Sequence, residues 1–230
     1  MTGKDLVTDV AELMNFPLFD GVSRDHVAPH ARDLFARVYA PGQVVFSQED
    51  TSGDVYFLRF GTLLALYLDQ NGRELIFTRL QAKDYFGELS AIDGGVRSLS
   101  VYSRTESRLI VIRRQAFLGI LEAVPLVRQR VFIDLVGRIR RLTTHSYQLA
   151  SQSVDQRVKA YLARCALEDG VFEPNGQLLR LPTHAEIAGS IGASREEVSR
   201  SISALKRARI LDTGRQRLTI LQPSALLHEQ

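Results

Sequence analysis

The spacing of hydrophobic and polar residues changes along the chain and places a β-rich region between two helical ones. Over residues 1–35, apolar side chains recur at helical spacing ahead of Pro17, which predicts short N-terminal helices. These apolar positions are Val7, Val10, Leu13 and Met14. Over residues 37–112, short β-branched and aromatic runs are separated by turn sequences, and one of these, Asn71-Gly72, favours a type I′ hairpin. The region therefore predicts a β-sandwich, jelly roll or barrel.

Helical spacing returns over residues 114–150, with an interruption at Pro125. After this proline, apolar residues recur mainly at intervals of three, four and seven: Val127, Val131, Leu135, Ile139, Leu142 and Leu149. A single apolar stripe on a long helix is typical of a helix that packs against a partner helix. The same stripe would arise if the helix covered its own β-domain, and both can hold because a long helix has several faces.

The C-terminal region contains three capping boxes, which begin at Ser153, Thr183 and Ser194. The last two bracket Gly192, and two short helices joined by a glycine-containing turn indicate a helix-turn-helix. Residues 209–220 follow with the pattern apolar, Asp/Gly turn, basic, apolar, which predicts a hairpin wing.

These elements predict an α+β protein with three parts. Residues 1–124 form a jelly-roll-like β-roll domain preceded by short helices, and residues 125–152 form a long helix and hinge. Residues 153–230 form a winged helix-turn-helix domain.

Composition excludes several classes of protein. A hydrophobic fraction of 45% describes an ordinary globular chain, and no run approaches the roughly 18 apolar residues of a membrane span. The first residues lack the basic-then-apolar order of a signal peptide, so a cytoplasmic protein without membrane contact is expected. Cys165 is the single cysteine, which excludes intramolecular disulfides and cysteine-based zinc or iron–sulfur sites.

Charge is distributed unevenly although the net charge is only +3. Residues 195–217 contain seven Lys/Arg against three Asp/Glu, a surplus that suits contact with DNA phosphates. A solvated helix face would produce the same surplus. Within this stretch Arg195, Glu196, Ser199 and Arg200 fall on one side of the second predicted helix, and Arg and Glu can read guanine and cytosine respectively. Exposed ion pairs on a helical hairpin are the alternative.

A second constellation combines Gly87-Glu88-Leu89 with Arg97-Ser98. A turn that opens with glycine can offer backbone amides to an anion, and an arginine and a serine hydroxyl can bind the same phosphate. A carboxylate beside a phosphate site is explained if it accepts a hydrogen bond from a ribose hydroxyl.

With this segment, and with turn glycines at Gly42, Gly61 and Gly72, the chain resembles the cAMP receptor protein/FNR family of bacterial transcription regulators over nearly its whole length. The resemblance implies that Gly87, Arg97 and Ser98 hold the phosphate of a cyclic nucleotide and that Glu88 holds the ribose 2′-hydroxyl. The further nucleotide-binding candidates are Leu89, Thr78 and, against the purine, Thr143 on the long helix.

For the C-terminal domain, the resemblance implies that Arg195, Glu196 and Arg200 read DNA bases, with Ser199 as in the FNR-like branch. Further DNA-contacting candidates are Thr183, His184 and Ser194, although a solvated surface role is open for His184. The chain departs from the family pattern at Lys83, Leu99 and Leu142, and the last two leave open which base the pocket accepts.

The predicted function is therefore ligand-gated transcription regulation. A homodimer is expected to bind a palindromic, G·C-containing double-stranded DNA operator under allosteric control by cAMP or cGMP, with RNA polymerase as a partner. The alternative is a regulator of the same family with another small-molecule effector or none, and haem sensing through a histidine also stays open. An enzyme is not expected, because residues 37–112 lack a metal triad and no nucleophile–base pair is visible.

Overall fold

In the computed structural model, residues 6–31, 34–68, 74–179, 181–214 and 217–227 are described. Two compact units comprise Met1–Ile139 and Arg140–Gln230, and the long helix contributes residues to both. The division between the units thus falls within this helix, while the domain limits given above remain predictions. Within the described ranges, no helix has the length and apolar content to cross a membrane.

The first described element of the N-terminal unit is a strand rather than a helix. Strand β1 (Leu6–Val7) pairs antiparallel with β2 (Phe35–Tyr39), and helix α1 (Val10–Leu13) starts only at Val10. The extended Asp9 caps this helix by accepting a hydrogen bond from the Ala11 amide, which ends the helical segment there. The prediction that Val7 belongs to a helix was therefore wrong. A second short helix, α2 (Arg24–Val27), agrees with the prediction.

Seven further strands complete two antiparallel sheets: β3 (Val44–Phe46), β4 (Val55–Phe60), β5 (Leu63–Leu68), β6 (Glu74–Leu80), β7 (Tyr85–Phe86), β8 (Ser100–Ser103) and β9 (Ser107–Ile112). One sheet has the order β1-β2-β9-β4-β7 and the other has the order β3-β8-β5-β6. The β-roll is thereby confirmed. The predicted turn at Asn71-Gly72 lies outside the described residues, although β5 and β6 pair antiparallel on either side of it.

Strands β4 and β9 are apolar on both faces because each face packs against a different core. In β4, Tyr56 and Leu58 join a cluster drawn from both sheets, while Val55 and Phe57 face a second cluster. That second cluster includes the N-terminal helices and helix α4 (Arg114–Ala123). Strands buried on both faces have continuous rather than alternating hydrophobicity, as this sequence does.

Helix α5 (Pro125–Ser151) begins at the proline that the sequence marked as an interruption. Its first apolar positions cover its own domain, since Val127 and Val131 are buried and Leu135 packs against the same cluster. Further along, a row of large apolar side chains is exposed: Phe132, Ile133, Val136, Ile139, Leu142 and Tyr147. The stripe is thus divided between the helix's own core and an exposed face.

The C-terminal unit contains α6 (Val154–Glu168), β10 (Gln177–Leu179), α7 (His184–Ile191), α8 (Arg195–Arg207), β11 (Leu211–Gly214) and β12 (Arg217–Ile220). All three capping boxes are formed, with side chain and backbone bonded reciprocally at each. Gly192, at φ +62°, ends α7 in the left-handed region as the predicted turn requires. Strands β11 and β12 pair as the expected wing, with its tip at residues 215–216 outside the described part.

Candidate effector and DNA-binding sites

The predicted phosphate-binding segment is built around a glycine that no other residue could replace without strain. Strand β7 ends at Phe86, and Gly87, at φ +87°, turns the chain into α3 (Glu88–Asp93). A Cβ at this position would lie 2.7 Å from Arg97 Nη1 and 2.9 Å from the Asp54 carbonyl oxygen. Both the backbone conformation and the close approach of Arg97 therefore require glycine.

Arg97 is buried against this turn with only 2% of its surface exposed. Its Nη1 donates to Gly87 O at 2.9 Å and to Ser90 Oγ at 2.7 Å, and its Nη2 donates to Asp54 O at 2.7 Å. Its Nε donates to Ser52 Oγ at 3.2 Å. A guanidinium has five N–H donors, so one Nη2 hydrogen remains for a ligand. Arg97 thus fixes the shape of the segment as well as supplying charge to it.

Aromatic side chains pack against the face of the same guanidinium. Arg97 Cζ lies 4.2 Å from the Phe46 ring centroid, and Phe46 packs against Tyr56 and Phe86, which are stacked 5.2 Å apart. Burial raises the pKa of Tyr56 to about 12 and lowers the pKa of Arg97. Leu99 packs partly buried against this aromatic cluster. Its side chain therefore adds apolar surface beside this cluster.

The remaining predicted nucleotide contacts lie at the surface. Ser98 is exposed beside Arg97, and Leu89 is 45% exposed on α3. Thr78 is exposed on β6 and approaches the Arg79 carbonyl oxygen at 3.5 Å. Thr143 is exposed on α5, within the C-terminal unit. The described contacts thus join Gly87 and Arg97, while the roles of the other candidates remain predictions.

Glu88 forms an ion pair that the sequence interpretation missed. Its side chain is 1% exposed, and Oε1 lies 2.6 Å from Nη1 of Arg138 on α5. Burial raises the pKa of Glu88, and the Arg138 charge opposes that rise. The short, direct contact with Arg138 favours the ionised carboxylate, while burial keeps the pKa of Glu88 above the usual carboxyl value. Arg138 could have been suspected only from its charge within the apolar stripe.

The second carboxylate oxygen of Glu88 is buried and accepts no hydrogen bond within the described part of the chain. A buried acceptor without a donor costs free energy, and a ligand hydroxyl would remove that cost. Around it, Arg138 Nη2 approaches the Tyr85 carbonyl oxygen at 3.5 Å, and the Tyr85 hydroxyl donates to Asp134 at 2.9 Å. Burial and the Asp134 charge raise the pKa of Tyr85, so its hydroxyl keeps its proton. The site can therefore accept a hydrogen bond at Glu88.

Helix α8 presents Arg195, Glu196 and Arg200 to solvent. Ser194 is occupied at the helix start, where its hydroxyl donates to Glu197 at 2.8 Å and accepts from the Glu197 amide at 3.2 Å. The Ser194 amide, which donates to Glu197 Oε2 at 2.7 Å, and the Ser194 hydroxyl together hold the pKa of Glu197 below its usual range. Thr183 caps α7 in the same way. The base-reading candidates are thus exposed, whereas the two capping hydroxyls already have partners.

His184 and Ser199 contact each other across the two helices of the helix-turn-helix. Nδ1 of His184 lies 2.8 Å from Ser199 Oγ, and both side chains are partly buried. This contact joins the first turn of α7 to the middle of α8. It was not foreseen, because the sequence interpretation assigned each residue separately to DNA.

Two family models match the chain. Residues 36–124 match the cyclic nucleotide-binding domain, and residues 156–229 match the Crp-like helix-turn-helix domain. The "Cyclic AMP receptor protein" of Thermus thermophilus is 28% identical over 213 residues, covering 93% of this chain and 95% of that protein. The "CRP-like cAMP-activated global transcriptional regulator" of Mycobacterium tuberculosis is 29% identical over 189 residues, covering 81% and 84%.

A solved structure with the same fold is the c-di-GMP responsive global regulator CLP of Xanthomonas campestris. It is 19% identical, with a TM-score of 0.73, and the match covers 93% of this chain and 99% of that one. This likeness establishes the architecture. Among the described residues, no group of three or more His, Cys, Asp or Glu side chains could hold a metal ion.

Replacing Arg138 with glutamine leaves the Glu88 carboxylate buried without a counter-charge. We expect Arg138→Gln to lower the free energy of unfolding by about 2–3 kcal/mol at neutral pH, less than for a fully buried pair because Arg138 is 36% exposed. Since the folded-state pKa of Glu88 lies above its unfolded value, the loss shrinks as the pH falls through that pKa. Urea unfolding at several pH values, followed by circular dichroism, measures both effects.

The control is Arg128→Gln on the same helix, where the arginine is exposed and, among the described residues, donates only to the Leu121 carbonyl oxygen at 3.3 Å. An equal, pH-independent loss in both variants would contradict the assigned role of the Glu88–Arg138 pair.

Proposed function

The chain belongs to the cAMP receptor protein/FNR family of bacterial transcription regulators, and we therefore propose that a cyclic nucleotide, cAMP or cGMP, controls its binding to DNA. The protein is a regulator with a cyclic nucleotide-binding domain and a helix-turn-helix domain. The observation that carries the proposal is the buried Glu88 carboxylate, which follows Gly87 in a glycine-initiated turn, interacts electrostatically with Arg97 and has one oxygen without a donor among the described residues.

In the proposed complex, Glu88 accepts a hydrogen bond from the ribose 2′-hydroxyl. The phosphate binds the backbone at Gly87, the Ser98 hydroxyl and the remaining Nη2 hydrogen of Arg97. Leu89 and Thr78 line the nucleotide, and Thr143 contacts the purine. Support comes from the exposed position of Ser98 and from relatives that are named cAMP receptors.

Among cyclic nucleotides, cAMP is the first choice because both curated relatives described above carry cAMP in their names. A different effector, or none, is the second candidate. Two observations favour it. Most N–H donors of Arg97 are already bonded within the protein, and Leu99 adds apolar surface beside the aromatic cluster. A regulator of the same fold is described as c-di-GMP responsive, so this architecture accommodates more than one ligand.

Control of DNA binding requires the nucleotide to prefer one conformation of the protein. The Glu88–Arg138 pair offers the means, because it connects the phosphate-binding segment, residues 87–98, to α5 through a 2.6 Å contact. This segment is called the cassette below. A ribose hydroxyl that donates a hydrogen bond to Glu88 would weaken the attraction between the carboxylate and Arg138. We infer that this change biases the position of α5.

The DNA-bound form is proposed to be a homodimer through the exposed apolar row on α5. Large side chains such as Phe132 and Val136 are 56% and 47% exposed on this helix. Apolar residues at heptad-like spacing favour helix pairing. Sedimentation velocity of Val136→Asp tests this, with Leu167→Asp as an exposed apolar control on α6. A dimer that survives Val136→Asp unchanged would contradict the assignment.

Within the dimer, α8 of each subunit is proposed to enter a major groove, where Arg195, Glu196 and Arg200 read a palindromic, G·C-containing operator. Ser199 contributes through the face it shares with His184, while Thr183, His184 and Ser194 meet the DNA backbone. RNA polymerase is the proposed protein partner at the promoter, and the cytoplasm is the proposed location.

Removing the Ser98 hydroxyl is expected to weaken cyclic-nucleotide binding without unfolding the protein, because the side chain is exposed. We predict that Ser98→Ala raises the dissociation constant for cAMP about tenfold or more, the effect of losing one hydrogen bond to a charged group. Isothermal titration calorimetry measures it. Ser224→Ala, at an exposed serine of the C-terminal unit, is the matched control, and undiminished affinity in Ser98→Ala would refute the cassette assignment.

Substitution of the base-reading residues is expected to change sequence preference rather than fold. Arg195→Gln and Glu196→Ala should each cost about 1–3 kcal/mol of operator affinity and relax selection at one base pair. Sites selected from random DNA, followed by fluorescence anisotropy, report both quantities. Arg207→Gln, at the exposed C-terminal end of the same helix, should leave base preference unchanged. If it relaxes preference to the same degree, the assigned reading face is wrong.

A further inference from the structure

A cavity of about 360 Å³ lies within the C-terminal unit, lined by the end of α5, by α6 and by the last turn of α7. Its polar lining includes Arg140 and Arg141 from α5, Arg157, Tyr161 and Arg164 from α6, and Ser190 from α7. Four arginines from two helices therefore line one small volume. Neither the nucleotide cassette nor the base-reading face includes any of these residues.

Among the described residues, none of these four arginines forms a direct ion pair, and the acidic group that interacts with Arg157 at longer range is Glu197. No carboxylate in the described part of the chain lies within 4.0 Å of their nitrogen atoms, although other arginines of the protein form such ion pairs. The sequence explains this, because residues 135–154 contain no Asp or Glu. Converging like charges repel one another, so the cluster is stable only if solvent or an anion neutralises it.

Arg157 is held in place although not all of its N–H donors have hydrogen-bond acceptors among the described residues. Its Nη1 and Nη2 lie at 3.4 Å and 3.3 Å from the carbonyl oxygens of Leu149 and Gly192, both long contacts. Its Nε is buried and has no hydrogen-bond acceptor among the described residues. The side chain is therefore positioned with a donor still available.

Tyr161 completes the lining. Arg164 Cζ lies 5.2 Å from the Tyr161 ring centroid, which holds this guanidinium over the ring. Burial raises the pKa of Tyr161 to about 12, so the phenol, which forms hydrogen bonds with Ser190 and Cys165, stays protonated at neutral pH.

We propose that this cavity binds a small phosphorylated ligand with at least two negative charges, through the diphosphate group of a nucleoside polyphosphate or inorganic pyrophosphate. Arginine is the side chain best suited to bind phosphate, because its planar fork donates two parallel hydrogen bonds. The cavity volume falls at the lower end of the range for small-molecule sites, roughly 300–1,000 Å³. Convergence on one volume favours a compact anion over the extended phosphate row of DNA.

A ligand held by Arg140 and Arg141 on one side and by Arg157 and Arg164 on the other would connect α5 to α6. Ser190, whose hydroxyl donates to the Glu186 carbonyl oxygen at 2.8 Å, lines the cavity from α7, the helix that precedes the DNA-reading helix. Binding to the folded state alone stabilises it by mass action, so the ligand should raise the thermal midpoint of the full-length protein. This site does not depend on the cyclic-nucleotide proposal.

The test is isothermal titration calorimetry of the full-length protein with sodium pyrophosphate, and separately with ATP, at constant ionic strength. We expect saturable binding by the wild type and about tenfold weaker binding by Arg141→Gln and by Arg164→Gln, since each loses a charge-assisted contact. Both arginines are exposed, so neither substitution should unfold the chain. Lys159→Gln removes one positive charge from α6 outside the cavity lining and should bind as the wild type does. Tighter binding of ATP than of pyrophosphate would identify a nucleotide as the ligand class.

Ser98→Ala separates this site from the cassette, and its affinity for pyrophosphate should equal that of the wild type. The proposal is overturned if the wild type binds neither probe, if Lys159→Gln weakens binding as much as Arg164→Gln, or if Ser98→Ala abolishes it. Absence of pyrophosphate binding together with weaker non-specific DNA binding by Arg164→Gln would assign the cluster to DNA phosphates instead.

Discussion

Burial of two opposite charges side by side, Glu88 and Arg97, is the constraint on which the nucleotide-binding half of this molecule depends. Each side chain is at most 2% exposed, so each must find partners within the protein or a ligand. Arg97 finds carbonyl oxygens and hydroxyls on three segments, and it thereby fixes the turn at Gly87. Glu88 forms an ion pair with Arg138, and its second carboxylate oxygen has no hydrogen-bond donor among the described residues. The cassette is therefore held rigidly at Arg97, and at Glu88 it can still accept a hydrogen bond.

Helix α5 has two roles, one toward its own domain and one at its exposed face. Its early apolar residues seal the β-roll, and Arg138 one turn later reaches back to the buried carboxylate. On an exposed face of the same helix, large apolar side chains from Phe132 to Tyr147 suit a partner helix. A change in the charge of the cassette can therefore act on the same helix that is proposed to hold two subunits together.

Local chemistry could be predicted from the sequence, and contacts between distant residues could not. The three capping boxes and the Gly192 turn were correct because each depends on residues within four positions of one another. Val7 was assigned to the wrong element because its pairing with Phe35 is non-local. Arg138 was missed because its partner is 50 residues away in sequence. The spacing of residues along a helix does not reveal which distant segment they contact. The His184–Ser199 contact was missed for the same reason.

Control of DNA affinity by a nucleotide is the central claim, and one measurement tests it directly. Fluorescence anisotropy of a labelled operator fragment, titrated with the full-length protein in the absence and presence of saturating cAMP or cGMP, compares the two states under equal salt. The account predicts that one of these nucleotides changes the dissociation constant for the operator by tenfold or more, roughly the 1.4 kcal/mol of coupling expected between linked sites. Equal dissociation constants with and without either nucleotide would contradict it.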